Sequence, residues 1–518
     1  MILGQIAERN ARLSPEHPAL IYQGRTVTHR EFASMVRRSA NALRTLGLKR
    51  QDRVAILAKN SPEYLALYVA AGLVGFIAVG INYRLSAAEQ AEILRDCEPQ
   101  FLLFEDEYIE RAAELRPALG AQVPLLCVGD APAWARSWNQ ALADASDALP
   151  AQLAAPEDAM LMIYTSGTTG KPKGVLLSIE GMVETAREYA LAQEAKPTDR
   201  MLIVMPFYHI GGTAQLLSYM IVGATVVLHR LFDAEQILDS IQQYRITAGH
   251  LAPTMIQMML DVQERAPREV GTLKTVCYAS APMSVALSQR ARAAFGEIFL
   301  QIYGMTEQGI GTVLHKHQHF ATGTPEQVGR LASAGQAFLN TEIRIVRDDG
   351  SPCATGESGE ICTRSKALMK GYWRKPEATR EAIGDGWMRT GDVGYLDHEE
   401  YLFVQDRKKD MIISGGENVY SREVEEALLL HPAVLETAVI GVPHPKWGET
   451  VKAFVVLRPG QAASTEDLVA HCRERIAGYK LPRSIEYLAA LPRIASTNKV
   501  DKKSLRAPYW SGQDRQVA

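Results

Sequence analysis

Helix and strand patterns alternate without a break over 53–104, and that alternation limits the folds open to the chain. Arg53-Val54-Ala55-Ile56-Leu57 reads as a strand, 62–74 as a helix, 76–81 as a strand, 86–96 as a helix and 101–104 as a strand. The rhythm returns with strand 201–205, helix 212–222, strand 224–228, helix 233–243 and strand 246–250. Such alternation predicts a large doubly wound α/β domain. Thr28, with Glu31 three positions later, predicts a capping box at a helix start. Residues 129–157, rich in Ala, Asp and Pro, read as a surface excursion. From about 326 the texture shifts to glycines and short strands at 342–346, 359–363 and 401–404, which predicts a smaller β-rich subdomain. A second α/β pattern follows residue 410, with helices at 421–430 and 464–477 and strands at 433–442, 449–458 and 484–488.

One loop stands out against this pattern. Tyr164-Thr165-Ser166-Gly167-Thr168-Thr169-Gly170-Lys171-Pro172-Lys173-Gly174-Val175 lies between two apolar runs, 160–164 and 175–177, that read as buried strands. Glycines let a backbone close around an anion, and consecutive N–H groups form a concave anion site. Hydroxyls and ammonium groups add charge-assisted donors. The residues are also ordinary turn formers, but their density favours a loop that holds phosphates. The G-x-x-x-x-G-K-[ST] arrangement is absent, because Pro172 follows Lys171, so a P-loop NTPase is not expected.

Length and composition narrow the class. At 518 residues the chain predicts several folding units, and 47% hydrophobic with 22% charged residues fits a globular enzyme with an ample core. A net charge of −3 gives no reason to expect nucleic acid. The six cysteines, at 97, 127, 277, 353, 362 and 472, are scattered without a C-x-x-C, which suits a reducing compartment, and a cytoplasmic location is expected. Residues 65–81 carry no charge, yet Gly72, Gly75 and Gly80 interrupt them, so they read as a buried helix and strand rather than a transmembrane segment.

The loop at 164–175 resembles the signature of the adenylate-forming enzymes, which include acyl- and aryl-CoA synthetases, adenylation domains and firefly luciferase. The resemblance runs over nearly the whole chain. It implies a large N-terminal domain, 1–408, and a small mobile α+β C-terminal domain, 409–518, with a hinge at Lys409. It implies binding of ATP by Thr165, Ser166, Gly167, Thr168, Thr169 and Lys173. Tyr303-Gly304-Met305-Thr306-Glu307 follows an apolar strand and resembles the motif in which Tyr303 stacks on adenine, Thr306 meets the phosphoryl group and Glu307 holds Mg²⁺. An aromatic face, a hydroxyl and a hard carboxylate suit those roles. Ser280, Ala281 and Pro282 resemble the opposite wall of the adenine slot. Asp392, in Arg389-Thr390-Gly391-Asp392, resembles the ligand of both ribose hydroxyls, with Val404 and Arg407 beside it.

For the second step the resemblance implies that Gly415, Gly416 and Glu417 line a pantetheine tunnel and that Tyr479 and Arg483 touch coenzyme A. Thr497-Asn498-Lys499-Val500 resembles the motif of the catalytic lysine, Lys499, although many relatives carry Gly where Asn498 stands, and Lys502 and Lys503 lie close by. Thr165, His209 and Glu307 join Lys499 as catalytic candidates. The acid pocket is expected from His209, Ile210, Gly211, Gly212, His250, Ala279, Ile302, Gly304, Gly309 and Ile310. Five of these ten are Gly or Ala, and small walls leave volume for apolar substrate, which favours a medium- or long-chain fatty acid. An aryl acid, or a carrier protein in place of coenzyme A, is the alternative. The expected partners are otherwise small molecules, with a homodimer among the admissible assemblies. His315-Lys316-His317-Gln318-His319 invites a metal reading, but a solvated strand or loop is expected there.

Overall fold

A computed structural model describes residues 3–151, 153–166, 172–280, 283–320, 322–414, 417–494 and 499–511. Ser166 is described for its backbone alone, and the proposed contacts of Gly167, Thr168, Thr169, Ala281, Pro282, Gly415 and Gly416 lie outside the described residues. The chain forms two compact units, Met1–Ile343 with Thr363–Met388, and Arg344–Cys362 with Arg389–Ala518.

In the first unit the expected alternation builds two large sheets. One has the order Gln336–Ala337, Gly309–Leu314, Phe299–Met305, Thr275–Tyr278, Ala248–Leu251, Arg200–Ile203, Thr225–Leu228, Pro18–Tyr22, Arg25–Thr28. The other runs Gly371–Tyr372, Pro172–Ser178, Ala159–Ser166, Ile77–Gly80, Arg53–Leu57, Phe101–Glu105, Leu125–Val128, Arg136–Ser137. The middle strands of both are parallel, so their carboxyl ends share a side, where ligands of open α/β sheets bind. The uncharged 65–81 stretch is the buried helix Pro62–Val74 and the buried strand Ile77–Gly80. Ser61 caps that helix and Gly75, at φ +80°, ends it. Thr28 and Glu31 form the capping box that their spacing predicts. No helix among the described residues is long and apolar enough to cross a membrane.

One expectation changes. Residues 129–157 are not all surface: Ser137 caps the helix Trp138–Asp144, whose Trp138 is fully buried in the main core. The second compact unit includes 344–362 and 389–408. Pairing of Trp387–Leu396 with Leu402–Arg407 explains this, because the strand that ends at Arg407 runs directly into the turn at 408–410. The remainder of that unit is a sheet of Glu417–Val419, Ile412–Ser414, Gly448–Leu457 and Val434–His444, with Ser484–Tyr487 parallel to Gly448–Leu457. Its core is formed by Val424, Leu428, Val439, Ala453, Leu468 and their neighbours.

Candidate active site

The strands Ala159–Ser166 and Pro172–Ser178 pair antiparallel, with Thr165 opposite Lys173. Gly371–Tyr372 adds to the edge of this pair, with Tyr372 opposite Val175. The other sheet of the first unit supplies Tyr303-Gly304-Met305-Thr306-Glu307 at the end of Phe299–Met305 and in the turn to Gly309–Leu314. Glu307 is 6% exposed. Its Oε1 accepts from the Thr165 hydroxyl at 3.4 Å and from the Tyr372 hydroxyl at 3.1 Å. The Lys173 ammonium lies 4.9 Å from the centre of the Tyr372 ring, a cation–π contact. Burial, then the adjacent Glu307 carboxylate, push the Tyr372 hydroxyl well above the ordinary phenol range, so it remains a donor. The carbonyl of Glu307 accepts from Met369 N at 2.8 Å, and Gln308 accepts from the Thr363 hydroxyl, which fixes the turn. Tyr372 carries no local sequence signal: it stands 65 positions from Glu307 and reaches it only through sheet pairing.

The acid-pocket candidates also converge. His209 caps the helix Ile210–Val222, its Nδ1 accepting from Gly211 N at 3.1 Å. His250 is 2% exposed with Nδ1 3.2 Å from the Gly211 carbonyl. Burial lowers the pKa of His250 to about 4, so it is neutral at physiological pH. Ile210, Ala279, Ile302 and Ile310 share one apolar cluster with Tyr189, Ala192, Cys277 and Phe338. Ser280, two residues after the strand Thr275–Tyr278, holds φ +72°, an uncommon conformation for a residue with a side chain.

The glycines of this pocket carry a different message from the one their size suggests. A Cβ on Gly212 would lie 2.5 Å from the carbonyl oxygen of Pro206 and 2.6 Å from that of Met205. One on Gly304 would collide with the carbonyl of Gly309. Gly309 holds φ +74°, and a Cβ there would meet Ala367 and Thr185. Backbone approach and the bulge between Tyr303 and Gly304 therefore require these residues, and their size is no measure of pocket volume.

In the second unit Asp392 and Arg407 are direct cross-strand partners, with Nε of Arg407 2.7 Å from Oδ1 of Asp392. The Val404 carbonyl accepts from Arg422 at 2.9 Å. Arg407, Asp392 and Lys409 are charged groups near Lys499, and burial, then Arg407, lower its pKa. Lys502 is taken up elsewhere, at 2.7 Å from Glu425 and 2.6 Å from the Ser421 hydroxyl. Of these two lysines, the one the motif designates is thus the one in the Asp392–Arg407 neighbourhood. Glu417 and Tyr479 are exposed. The Arg483 guanidinium lies 4.9 Å from the ring centre of Trp447, which stacks on His444.

The 315–319 segment is a 3₁₀ turn rather than a solvated strand or loop: His319 is buried, its Nε2 3.0 Å from the Tyr278 hydroxyl and its Nδ1 2.9 Å from the His315 carbonyl. Among the described residues no group of three or more His, Cys, Asp or Glu has a metal-binding arrangement.

A family model described as AMP-binding enzyme matches residues 7–373, and one described as AMP-binding enzyme C-terminal domain matches 423–498. The chain belongs to the AMP-binding enzyme family. This AMP-binding enzyme is 36% identical to a feruloyl-CoA synthase of an Amycolatopsis species over 98% of this chain and 99% of that one. It is 34% identical to a long-chain-fatty-acid–CoA ligase of Mycobacterium tuberculosis over 98% of each chain. The fold matches o-succinylbenzoate CoA synthetase of Bacillus subtilis, solved in complex with its acyl-adenylate intermediate. That match has a TM-score of 0.86 at 33% identity and covers 96% of this chain and 97% of that one. The AMP-binding enzyme is an AMP-forming acid–CoA ligase: it joins a carboxylic acid to coenzyme A through an acyl-adenylate.

Proposed function

We propose that the acid is an aryl or arylalkanoic acid, and that the residues gathered around Glu307 and around Lys499 carry its activation. A carboxylate resists thiol attack because oxide leaves poorly. Transfer to AMP makes a mixed anhydride with a good leaving group, so the protein supplies position and charge rather than a covalent nucleophile. The carrying observation is the buried Glu307 carboxylate with two hydroxyls, Thr165 and Tyr372, aimed at one of its oxygens.

This set suits Mg²⁺, a hard ion held by one or two carboxylates together with substrate phosphates, and Glu307 would be its protein ligand. When bound, that ion neutralises phosphate charge. Thr165 and Tyr372 orient the carboxylate, and Lys173 adds positive charge beside Tyr372. Tyr303 and Ser280 border adenine. Asp392 is a bidentate acceptor for the ribose diol, and Arg407, paired with it, fixes its rotamer. Lys499 stabilises charge that develops on the attacked phosphate. Lys409 is the hinge about which 410–518 turn for thioester formation, in which Glu417, Tyr479 and Arg483 meet coenzyme A. The flat Trp447–His444 stack beside Arg483 suits an adenine ring or a pantetheine chain.

Three features support an aryl acid over the fatty acid favoured by the small-wall argument. Gly212, Gly304 and Gly309 answer backbone needs. The cluster that holds the pocket residues includes Tyr189 and Phe338. One similar protein is named for ferulate, and a similar solved structure for succinylbenzoate. The fatty-acid reading keeps the Mycobacterium relative in its favour. Coenzyme A-dependent pyrophosphate release across benzoate, cinnamate, ferulate, laurate and acetate decides between them. The highest kcat/KM is expected on a ring-bearing acid; a maximum on laurate would assign a fatty-acid ligase.

A further inference from the structure

Glu188 has no role in the chemistry above and is placed where a carboxyl is costly. It lies on the helix Ile179–Ala192 and is 3% exposed. Neither carboxyl oxygen has a hydrogen-bond partner among the described residues. Burial, then the charge of Glu184, raise its pKa to about 8. Glu184, one turn earlier, accepts from Asn340 at 2.8 Å and pairs with Arg187. The contrast is within one helix: one glutamate is partnered at the surface, the next is buried and unpartnered.

Helical spacing fixes the direction of Glu188. Glu184 and the exposed Leu191 flank it on the outer side, at 4 and 3 positions, while Gly181, Thr185 and Ala192, all buried, stand at 7, 3 and 4 positions on the inner side. Thr185 is the side chain that a Cβ on Gly309 would meet at 3.1 Å. Ala192 packs in the cluster with Ile302, Ile310 and Ala279. The helix packs on the strand Gly309–Leu314, so the face that carries Glu188 adjoins residues proposed to line the acid pocket, with Thr185 beside Gly309 and Ala192 in the apolar cluster of Ile302 and Ile310. An unpaired buried polar group destabilises a fold, and such groups concentrate at functional sites.

We propose that Glu188 is a specificity-determining residue that accepts a hydrogen bond from a hydroxyl or amino group of the acid, remote from its carboxyl. This rests on the acid–CoA ligase reading of the same pocket. A site built around an unsatisfied acceptor favours the donor-bearing acid and rejects its unadorned analogue, because only the first satisfies the carboxyl.

The test uses full-length enzyme and two matched pairs, 3-(4-hydroxyphenyl)propanoate with 3-phenylpropanoate, and 10-hydroxydecanoate with decanoate. Coenzyme A-dependent pyrophosphate release gives kcat/KM for each acid. Wild type is expected to favour the hydroxylated member of at least one pair by about tenfold or more, the effect of one well-placed hydrogen bond. Glu188→Leu is expected to abolish or invert that ratio while its melting temperature stays at or above wild type. Glu188→Met is the second variant, should Leu not fold. An unchanged ratio, within about twofold, in a folded and active apolar variant would overturn the proposal, as would a wild-type preference for the plain acid in both pairs. Pyrophosphate release that coenzyme A does not accelerate would reject the ligase reading while the Glu188 ratio is still read. A wild type inert toward every acid would reject both.

Discussion

Two buried glutamates in the first unit, Glu307 and Glu188, are nearly equal in exposure and opposite in surroundings. Glu307 has hydroxyls from Thr165 and Tyr372, and its turn is pinned by Met369 and Thr363. Glu188 has an apolar cluster for a neighbour and no partner among the described residues. Burying a carboxylate is tolerable when donors meet it and costly when they do not. On the proposed assignment, the nucleotide side is organised by its own side chains, and the acid side keeps an acceptor in reserve for a group that the substrate brings. Changes on the first side should lower turnover of all acids alike; changes on the second should alter the ratio between acids.

The largest effect is expected from Lys499→Ala. Removing a preorganised charge donor costs about 10²–10³ in rate, so acyl-adenylate formation should fall by that much for every acid. Thioester formation from supplied acyl-adenylate should survive. Loss of both half-reactions in a folded protein would separate Lys499 from the adenylation step. Lys409→Pro comes next, because proline fixes φ at the proposed hinge. Pyrophosphate release should be spared and thioester transfer impaired, in rapid-quench measurements of each step. Equal damage to both would move the hinge elsewhere.

Tyr372→Phe removes one hydroxyl from Glu307. A hydrogen bond to a charged group is worth about 1.5–3 kcal/mol, so kcat/KM for ATP should drop about tenfold or more. The ranking of acids should not move; a changed ranking would place Tyr372 on the acid side.

The smallest effect concerns stability. Because the folded pKa of Glu188 is raised from 4.5 to about 8, the native state binds more protons than the unfolded state between those values. Stability contributed at low pH is lost as pH rises through that window. The melting temperature of Glu188→Gln should therefore gain on wild type between pH 5 and pH 8. A constant difference would show that Glu188 ionises normally.

Much of the fold was legible because its signals are local. The alternation at 53–104, the Thr28–Glu31 box and the two strands that flank the 164–175 motif each lie within one short window. Asp392 and Arg407 were legible as motifs, and strand pairing brings them to 2.7 Å. Tyr372 was not, since only sheet pairing carries it to Glu307. Glu188 was not legible: Glu180, Glu184 and Glu188 stand at four-residue spacing, a pattern that carries no signal for burial of the third, and only tertiary packing buries it. The pocket glycines misled for a related reason, because residue size in sequence does not distinguish an open wall from a backbone contact.

Isotope transfer tests the chemistry most directly. The enzyme is supplied with a turned-over acid labelled with ¹⁸O in its carboxylate, together with ATP, Mg²⁺ and coenzyme A, and the products are weighed by mass spectrometry. Attack of the carboxylate on the α-phosphorus carries one labelled oxygen into AMP, with unlabelled pyrophosphate and a thioester as the other products. Label in inorganic phosphate with ADP formed, or unlabelled AMP beside the thioester, would contradict an acyl-adenylate route.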